Sequence, residues 1–414
     1  MRTGARVVII GIPTETVANE RRVSLVPTVA EQIIDLGHDI LVASGAGEPA
    51  DFGDSAYESA GCEVVSERAD VFERADVVLQ VNGAAAGESL DPYSEGQIVI
   101  GQLGPYDVSD DTLAELAERD VSAFALELIP RISRAQSMDA LSSMASLGGY
   151  QATLMGATEL PKMLPMEMTA AGTIRPADVF VIGAGVAGLK AIATSERLGG
   201  YTRGYDIRLE VKREVESLGA DFVELDLETE DSGDQEGYAR EMDDEFYRQQ
   251  RKELTRVVAD SDIVITTAAI PGQPAPELVT TEMIENMDSG SVIIDLSAGT
   301  GGNCEPTEAD EVVHHEGVTI HGPTNLTSEV SHTASQQLSN NLFNFLENLL
   351  EDGNIVFDFE DEIIDSTLLT HNGTVRAPHR DDGGEPDTGD EPDEQTDTDD
   401  PAATAGAGEA PDAE

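Results

Sequence analysis

The segment 179–188, VFVIGAGVAG, decides the fold of the region around it. A short apolar run, 179–182, leads directly into glycines spaced as G-x-G-x-x-G, and a helical pattern follows. In such a loop the first glycine permits a tight turn, the second lets the backbone approach a pyrophosphate, and the third lets the helix pack on the strand. The helix N-terminus then directs backbone N–H groups at the anion. The segment therefore predicts a dinucleotide site formed by Gly183, Gly185, Val186, Ala187 and Gly188.

An acidic residue follows at the distance that this fingerprint requires. Asp206 comes after the next apolar segment, 201–205, and lies about twenty residues beyond the glycines. Its carboxylate can accept both ribose hydroxyls of an adenosine and would repel a 2′-phosphate, so the sequence favours NAD(H) over NADP(H). Ile207 and Arg208 belong to the same predicted site, although an arginine there could instead accommodate a 2′-phosphate. The alternative interpretation of the glycines is a structural turn without a ligand.

The chain carries a large excess of acidic residues. Its 414 residues, enough for two domains of ordinary size, include 24 lysines and arginines against 81 aspartates and glutamates, which gives a net charge of −57. Such a surface repels itself in dilute salt and is screened at molar salt, where the Debye length is about 3 Å. We therefore expect a protein of a salt-accumulating, halophilic cytoplasm. Because no basic stripe is present to neutralise phosphates, nucleic acid is not an expected partner.

Cysteine usage and hydropathy exclude other classes of protein. Cys62 and Cys304 are too few for a disulfide framework, and no group of cysteines and histidines has zinc-ligand spacing, so no metal site is predicted. The apolar run 7–12 is too short for a signal segment. Residues 140–158 lack charge, but their serines and glycines make them a poor bilayer span. We expect a soluble chain.

Short apolar runs alternate with helical patterns along most of the chain. In the first block the β-rich runs are 7–10, 39–42, 77–81, 98–100 and 122–125, and the helical patterns include 28–36 and 110–118. After a long helical stretch, 139–155, the second block contains the fingerprint and then the runs 263–267, 291–295 and 318–321. This alternation predicts an α/β fold with two Rossmann-like, doubly wound parallel-sheet domains and a cleft between them.

A further helical pattern at 331–350 follows the second block, and it is long enough to cross back to the first. We therefore expect a discontinuous first domain, residues 1–138 and 328–375, around a dinucleotide-binding domain, residues 139–327. From residue 376 to residue 414 the chain loses its hydrophobic residues and becomes rich in Asp, Glu, Gly, Pro and Thr. This composition predicts a disordered acidic tail.

A charged segment, residues 226–256, interrupts the second block. One interpretation is a solvated helix, and the other is a mobile lid whose Tyr238 and Met242 cover a bound nucleotide. A second charged stretch contains His314 and His315, and its pattern looks helical. The histidines are interpreted as surface or capping residues.

Three segments carry a resemblance that is more specific than the fold. They are ERRVSLVP at 20–27, RISRAQSMDALSS at 131–143 and TTAAIPGQPAP at 266–276. With these segments the chain resembles, from about residue 5 to residue 375, the NAD(H)-binding subunit of proton-translocating nicotinamide nucleotide transhydrogenases, which are relatives of alanine dehydrogenase. The resemblance implies direct hydride transfer to NADP⁺ held on a partner subunit, without proton transfer by a side chain.

The same resemblance implies further site residues and partners. The residues expected beside the nicotinamide are Arg131, Gln136, Asp139 and Ser142, and Ala268 joins the cofactor-binding residues. From the local pattern alone, Gln136 could instead complete a capping box with Ser133, and Asp139 could be a helix N-cap. Membrane-spanning and NADP(H)-binding subunits, a homodimer, and a cytoplasmic position at the inner face of the cell membrane are implied as well.

The residues that alanine dehydrogenases add for their substrate are mostly missing. Arg22 occupies the position of their carboxylate-binding arginine, but no lysine occurs in segment 79–82, no histidine in segment 101–103, and Gly299 replaces the aspartate. Oxidising an amino acid requires such acid and base groups. Gly299 and Thr300 also replace the polar pair usual in transhydrogenases. An alanine dehydrogenase with rearranged groups and a non-catalytic NAD(H)-binding regulatory module are the competing hypotheses.

Overall fold

Two twisted, mostly parallel sheets organise the chain. The computed structural model describes residues 7–83, 90, 92–225, 244–351 and 353–377. Tyr238, Met242 and residues 378–414 of the expected acidic tail lie outside the described residues. Within the described part, no helix is both long and apolar enough to cross a membrane.

The first sheet has eight strands, and one edge is formed by two strands from residues 368–375. The strands are β1 (Ile9–Ile12), β2 (Asp39–Ala43), β3 (Glu63–Val65), β4 (Val77–Asn82), β5 (Ile98–Gln102), β6 (Ser122–Ala125), β18 (Leu368–His371) and β19 (Thr374–Val375). Their order is β19-β18-β6-β5-β4-β1-β2-β3. Strand β18 pairs antiparallel with both β6 and β19, and the other neighbouring strands pair in parallel. Buried apolar side chains cover both faces, as parallel sheets require.

The second sheet contains the fingerprint. Its strands are β9 (Asp178–Ile182), β10 (Tyr201–Tyr205), β11 (Asp221–Phe222), β12 (Ile263–Thr266), β13 (Val292–Asp295), β14 (Val312–His315) and β15 (Val318–His321). The order is β11-β10-β9-β12-β13-β15-β14, and β14 at the edge is antiparallel. The six parallel strands thus have the 3-2-1-4-5-6 order of dinucleotide-binding sheets.

Helices cover the faces of both sheets. Their bounds are α1 (Pro27–Asp35), α2 (Asp54–Ser59), α3 (Arg68–Arg74), α4 (Asp110–Glu118), α5 (Ala140–Glu159), α6 (Val186–Leu198), α7 (Lys212–Ser217), α8 (Asp244–Ala259), α9 (Thr281–Glu285), α10 (Ser331–Leu349) and α11 (Glu362–Thr367). The remaining strands form two small antiparallel hairpins, β7 (Glu167–Thr169) with β8 (Gly172–Ile174) and β16 (Leu350–Glu351) with β17 (Asn354–Ile355).

The long helix α5 belongs to both halves of the molecule. Ala140 and Met144, near its start, are buried in the core of the first sheet, whereas Ala152 is buried in a core of the second. Helix α5 also packs closely on α6, because a Cβ at Gly149 would lie only 2.0 Å from the carbonyl oxygen of Ala187. The glycine therefore lets the two backbones touch at the start of the fingerprint helix.

The sequence prediction of an α/β fold with two Rossmann-like parallel sheets is confirmed. Helix α10 buries its apolar face in the core of the first sheet. The interpretation of the stretch around His314 and His315 as helical is wrong, because both residues lie in strand β14. This strand pairs with β15 at the sheet edge, so it is stabilised without an apolar periodicity of its own.

Candidate nucleotide-binding site

The fingerprint glycines adopt the conformations that their spacing requires. Gly183 has a positive φ of 94°, and a Cβ there would lie 2.6 Å from Thr267 Oγ1. A Cβ at Gly188 would lie 1.7 Å from the carbonyl oxygen of Gly183, so the helix could not approach the strand with any larger residue. At Gly185, by contrast, no atom lies within 4 Å of the Cβ position. This open side faces the cavity that the fingerprint lines.

The cavity has a volume of about 560 Å³ and meets the first turn of helix α6. Gly185 is the N-cap of this helix, and no side chain accepts a hydrogen bond at that position. Val186 and Ala187 line the cavity as well. The helix therefore offers unpaired backbone N–H groups and the positive end of its dipole to an anion.

Asp206 lies beside this turn, and its carboxylate is already fully used. Oδ2 accepts from the backbone N–H of Ala184 at 2.7 Å. The Arg208 side chain donates from Nε to Oδ1 at 2.9 Å and from Nη2 to Oδ2 at 2.8 Å, and the Arg208 N–H donates to Oδ1 at 2.9 Å. Because the two oxygens provide about four acceptor positions, ribose hydroxyls can bind Asp206 only if the Arg208 side chain moves.

The residues expected beside the nicotinamide are only partly brought together. Arg131 and Ser142 line the cavity from the side of helix α5, while Gln136 is exposed and does not line it. Asp139 caps helix α5, accepting from Ser142 N at 2.8 Å and from Ser142 Oγ at 2.5 Å. Asp139 is therefore hydrogen-bonded to Ser142, a residue of the cavity lining.

The side-chain amide of one buried residue, Asn303, positions the backbone of one wall of the cavity. Asn303 Nδ2 donates to the carbonyl oxygens of Ala268 and Pro276, at 2.9 and 2.8 Å. Its Oδ1 accepts from the Ala268 N–H at 3.0 Å. Ala268, a predicted cofactor-binding residue, lines the cavity, and the buried Asn303 positions its backbone.

The lining of the cavity contains residues that the sequence analysis missed. Tyr205, Gln250 and Leu278 line it and are buried, and Ile207, a predicted cofactor-binding residue, lines it as well. One signal could have identified Gln250: it precedes Leu254 and Val258 at helical spacing, so it is a polar residue on the buried face of α8.

Comparison with known proteins agrees with this architecture. Residues 11–148 match the family described as alanine dehydrogenase/PNT, N-terminal domain, and residues 152–378 match its C-terminal domain. The chain belongs to the alanine dehydrogenase/PNT family. Together the two matches cover most of the chain, including both sheets and the cavity.

Within this family the chain is more similar to transhydrogenase subunits than to an alanine dehydrogenase. The first part of NAD(P) transhydrogenase subunit alpha from Rickettsia prowazekii is 42% identical over 367 residues, which are 87% of this chain and 94% of the relative. Alanine dehydrogenase of Bacillus subtilis is 29% identical, over 89% of this chain and 92% of the relative. The crystal structure of transhydrogenase from Sinorhizobium meliloti is 39% identical, with a TM-score of 0.77, and covers 90% of this chain and 99% of that one.

In this member of the alanine dehydrogenase/PNT family, Arg22 is enclosed by the chain itself. Glu20 accepts from Arg22 Nε at 2.8 Å and from Nη2 at 2.6 Å, and the side chains of Glu20 and Arg22 are 0% and 6% exposed. Arg22 Nη1 donates to Gln102 Oε1 at 3.2 Å. Further donors to Glu20 are Asn82, Asn325 and Ser328.

These contacts keep the Glu20 carboxylate charged. Burial by itself raises the pKa of Glu20, but hydrogen bonds and charge attraction from Arg22, with a hydrogen bond from Ser328, outweigh it and lower the pKa to about 2. The Glu20 carboxylate is therefore ionised at neutral pH, and the guanidinium at the position of the carboxylate-binding arginine of alanine dehydrogenases already has an internal carboxylate as its partner.

Proposed function

We propose that this chain is the NAD(H)-binding subunit of a proton-translocating transhydrogenase. In this proposal NADH in the cavity passes its hydride directly to NADP⁺ on a partner subunit. One observation carries it: a dinucleotide cavity lined by Arg131 and Ser142 has, among the described residues, neither a histidine nor a lysine in its lining. A transfer between two nicotinamides requires position and no acid or base, whereas amino acid oxidation requires both.

The chain's own residues bind the adenosine half and the pyrophosphate. Backbone N–H groups of Val186 and Ala187 would hold the pyrophosphate at the open side of Gly185. Asp206 would accept the ribose hydroxyls after Arg208 moves away. This supports NAD(H) as the cofactor, because the uncovered carboxylate repels a 2′-phosphate.

At the other end the chain orients the nicotinamide. The Ser142 hydroxyl donates to Asp139, so its lone pairs remain available to accept from the carboxamide N–H₂. Arg131 would donate to the carboxamide oxygen, and Gln136 would reach the ring from its exposed position after closure. The bound NADH supplies the hydride from C4 of its dihydronicotinamide. Tyr238 and Met242, outside the described residues, are proposed to cover the cofactor as a lid.

The enclosure of Arg22 argues against an alanine dehydrogenase. A substrate carboxylate at Arg22 would have to displace Glu20, a buried partner with several donors, and Gln102. Removing one partner from a buried ion pair costs about 3–5 kcal/mol. Binding of a small amino acid cannot readily supply that energy in addition to its own binding cost.

The proposal includes the assembly around this chain. NADP(H)-binding and membrane-spanning partner subunits would supply the second nucleotide and the proton path, and the chain would form a homodimer at the cytoplasmic face of the cell membrane. We further propose that residues 1–138 and 328–375 form one lobe and 139–327 the NAD(H)-binding lobe, with 376–414 as a separate tail. Pairing of β18 with β6 supports the return of the chain to the first lobe.

Reconstitution tests the proposed function. The purified chain, added in high salt to membranes that contain the two partner subunits, is expected to restore reduction of NADP⁺ by NADH, and Asp139→Asn should slow this reaction far more than it weakens NADH binding. L-alanine-dependent reduction of NAD⁺ by the chain alone would identify an alanine dehydrogenase instead. Binding of NADH without any transfer would identify a regulatory module.

A further inference from the structure

The lining of the cavity contains a buried polar pair. Gln250 is 3% exposed, and its Nε2 donates to the Tyr205 hydroxyl at 2.8 Å. Its Oε1 has no hydrogen-bond partner within the described part of the chain and no contact with solvent. A buried acceptor without a partner costs about 1–3 kcal/mol, so a ligand that donates to it gains affinity.

The Tyr205 hydroxyl supplies a donor beside this acceptor. Burial raises the pKa of Tyr205 to about 12, so the hydroxyl keeps its proton at neutral pH. Because the hydroxyl oxygen accepts from Gln250, its own proton is free to point at a ligand. A donor and an acceptor therefore lie side by side in the lining of the cavity.

The position of this pair identifies the part of the ligand that it would meet. Tyr205 directly precedes Asp206, the expected ribose acceptor, and Gln250 is hydrogen-bonded to Tyr205. Ile207 and Leu278 line the same cavity with apolar surface suited to a flat ring. In a bound dinucleotide, the group next to the adenosine ribose that has a flat ring and a polar edge is the adenine base.

We propose that Gln250 and Tyr205 recognise the edge of the adenine base, with Gln250 Oε1 accepting from the exocyclic amino group and the Tyr205 hydroxyl donating to a ring nitrogen. This inference rests on the proposed NAD(H)-binding function and adds the selection of the base. An adenine offers a donor and an acceptor side by side, which match the acceptor and the donor of the pair. Hypoxanthine has an oxygen in place of the amino group, so in the same pose this oxygen and Gln250 Oε1, which are both acceptors, would face each other.

Binding of NADH and its hypoxanthine analogue tests the assignment. The full chain in high salt is titrated with each reduced dinucleotide, and nucleotide fluorescence reports the dissociation constant. We expect NADH to bind about fivefold more tightly than the hypoxanthine analogue, because one hydrogen bond contributes about 1 kcal/mol. Gln250→Leu should weaken NADH binding by about fivefold and change binding of the analogue by less than about twofold.

Gln249→Leu is the matched control, because Gln249 is the exposed neighbour on the same helix and should retain both affinities. Equal binding of the two dinucleotides by the wild-type chain would overturn the base assignment alone. An equal loss of both affinities in Gln250→Leu would also overturn it, since that result indicates a structural role. Failure of the wild-type chain to bind either dinucleotide would overturn this assignment together with the proposed function.

Discussion

At the scale of single residues, the ion pair between Asp206 and Arg208 bears on whether the site would prefer NAD(H) or NADP(H). The carboxylate is buried, and the Arg208 side chain donates two of the hydrogen bonds that it accepts. The hydrogen bond to Asp206 and the loss of solvation act in opposite directions on Arg208, and the net effect raises its pKa. In the proposed site Arg208 would therefore be a charged group that competes with ribose for Asp206 and attracts a 2′-phosphate.

Arg208→Ala tests this competition. Without the guanidinium, Asp206 presents free acceptor positions and an unpaired charge, so NADH should bind more tightly and NADPH more weakly. We expect the ratio of NADPH to NADH affinity to fall by at least about tenfold, which corresponds to about 1.4 kcal/mol. Fluorescence titration measures both affinities. The exposed Arg213, changed to alanine, is the control, and an unchanged ratio in Arg208→Ala would contradict the argument.

Glu20→Gln tests the enclosed ion pair through pH dependence. Because the folded-state pKa of about 2 lies below the usual 4.5, the charged form stabilises the fold fully above pH 4.5, and this stability is lost as the pH falls towards 2. The substitution leaves Arg22 buried without its charge partner, so it should lower the free energy of unfolding by about 3 kcal/mol at pH 7.

The difference between wild type and Glu20→Gln should therefore shrink between pH 4.5 and pH 2, as measured by urea unfolding with the salt concentration held constant. A difference that stays constant over this range would contradict the assignment of charge to Glu20. Glu63→Gln is a suitable control, because its partner Arg74 is exposed and such surface pairs contribute at most about 1 kcal/mol.

At the scale of elements, the contact between helices α5 and α6 positions the fingerprint. Helix α5 carries Ser142 at one side of the cavity, and helix α6 carries the anion-binding turn. The two helices touch where Gly149 meets the backbone of Ala187. Their separation therefore sets the distance between Ser142 and the glycine turn at the start of α6.

Two neighbouring glycines of α5 give opposite predictions. Gly149→Ala places a Cβ 2.0 Å from the Ala187 carbonyl oxygen, so it should lower the free energy of unfolding by about 3 kcal/mol or more. A Cβ at Gly148 meets no atom within 4 Å. Gly148→Ala should therefore raise the free energy of unfolding by about 0.5–1 kcal/mol, because alanine has less conformational freedom than glycine in the unfolded chain. Urea unfolding of both variants measures the difference, and similar effects in the two would show that the close contact is absent.

Much of the fold could be predicted because buried parallel strands are continuous apolar runs. Strand β9 and the glycine turn after it are examples, and the alternation of such runs with helical patterns indicated both sheets. The hairpin β7–β8 was missed because its residues are exposed and have no apolar pattern. The strand with His314 and His315 was missed because pairing, not its own composition, stabilises it.

The site could be predicted only as far as backbone geometry determines it. Glycine spacing indicated the turn and the helix N-terminus, both of which are local. The saturation of Asp206 by Arg208 depends on a side-chain conformation. The enclosure of Arg22 depends in part on Gln102, which is far from it in sequence. Gln250 reaches the cavity through the packing of α8, so the helical spacing to Leu254 and Val258 indicates that it is buried but not that it lines the site.

At the scale of the whole molecule, the net charge of −57 opposes folding. Like charges spread over one surface repel, and salt screens the repulsion, with a Debye length of about 10 Å at 0.1 M and about 3 Å at 1 M. Ion pairs such as Lys162 with Asp262 offset little of this excess, because the chain has 24 lysines and arginines in total.

Stability should therefore rise with salt. We expect the free energy of unfolding to increase between about 0.1 and 2 M KCl, with most of the gain below about 1 M, where the Debye length changes most. Urea unfolding at several KCl concentrations measures this. A stability maximum below about 0.2 M would contradict the interpretation of the charge as an adaptation to salt.

Isotope transfer in the assembled enzyme tests the central claim, which is direct hydride transfer from NADH in this cavity to NADP⁺ on a partner. NADH deuterated at C4 on the transferred face is mixed with NADP⁺, this chain and its partner subunits in ordinary water, and the NADPH formed is analysed by mass spectrometry. The account predicts that the product carries the deuterium without loss to solvent. NADPH that carries hydrogen from water would contradict it.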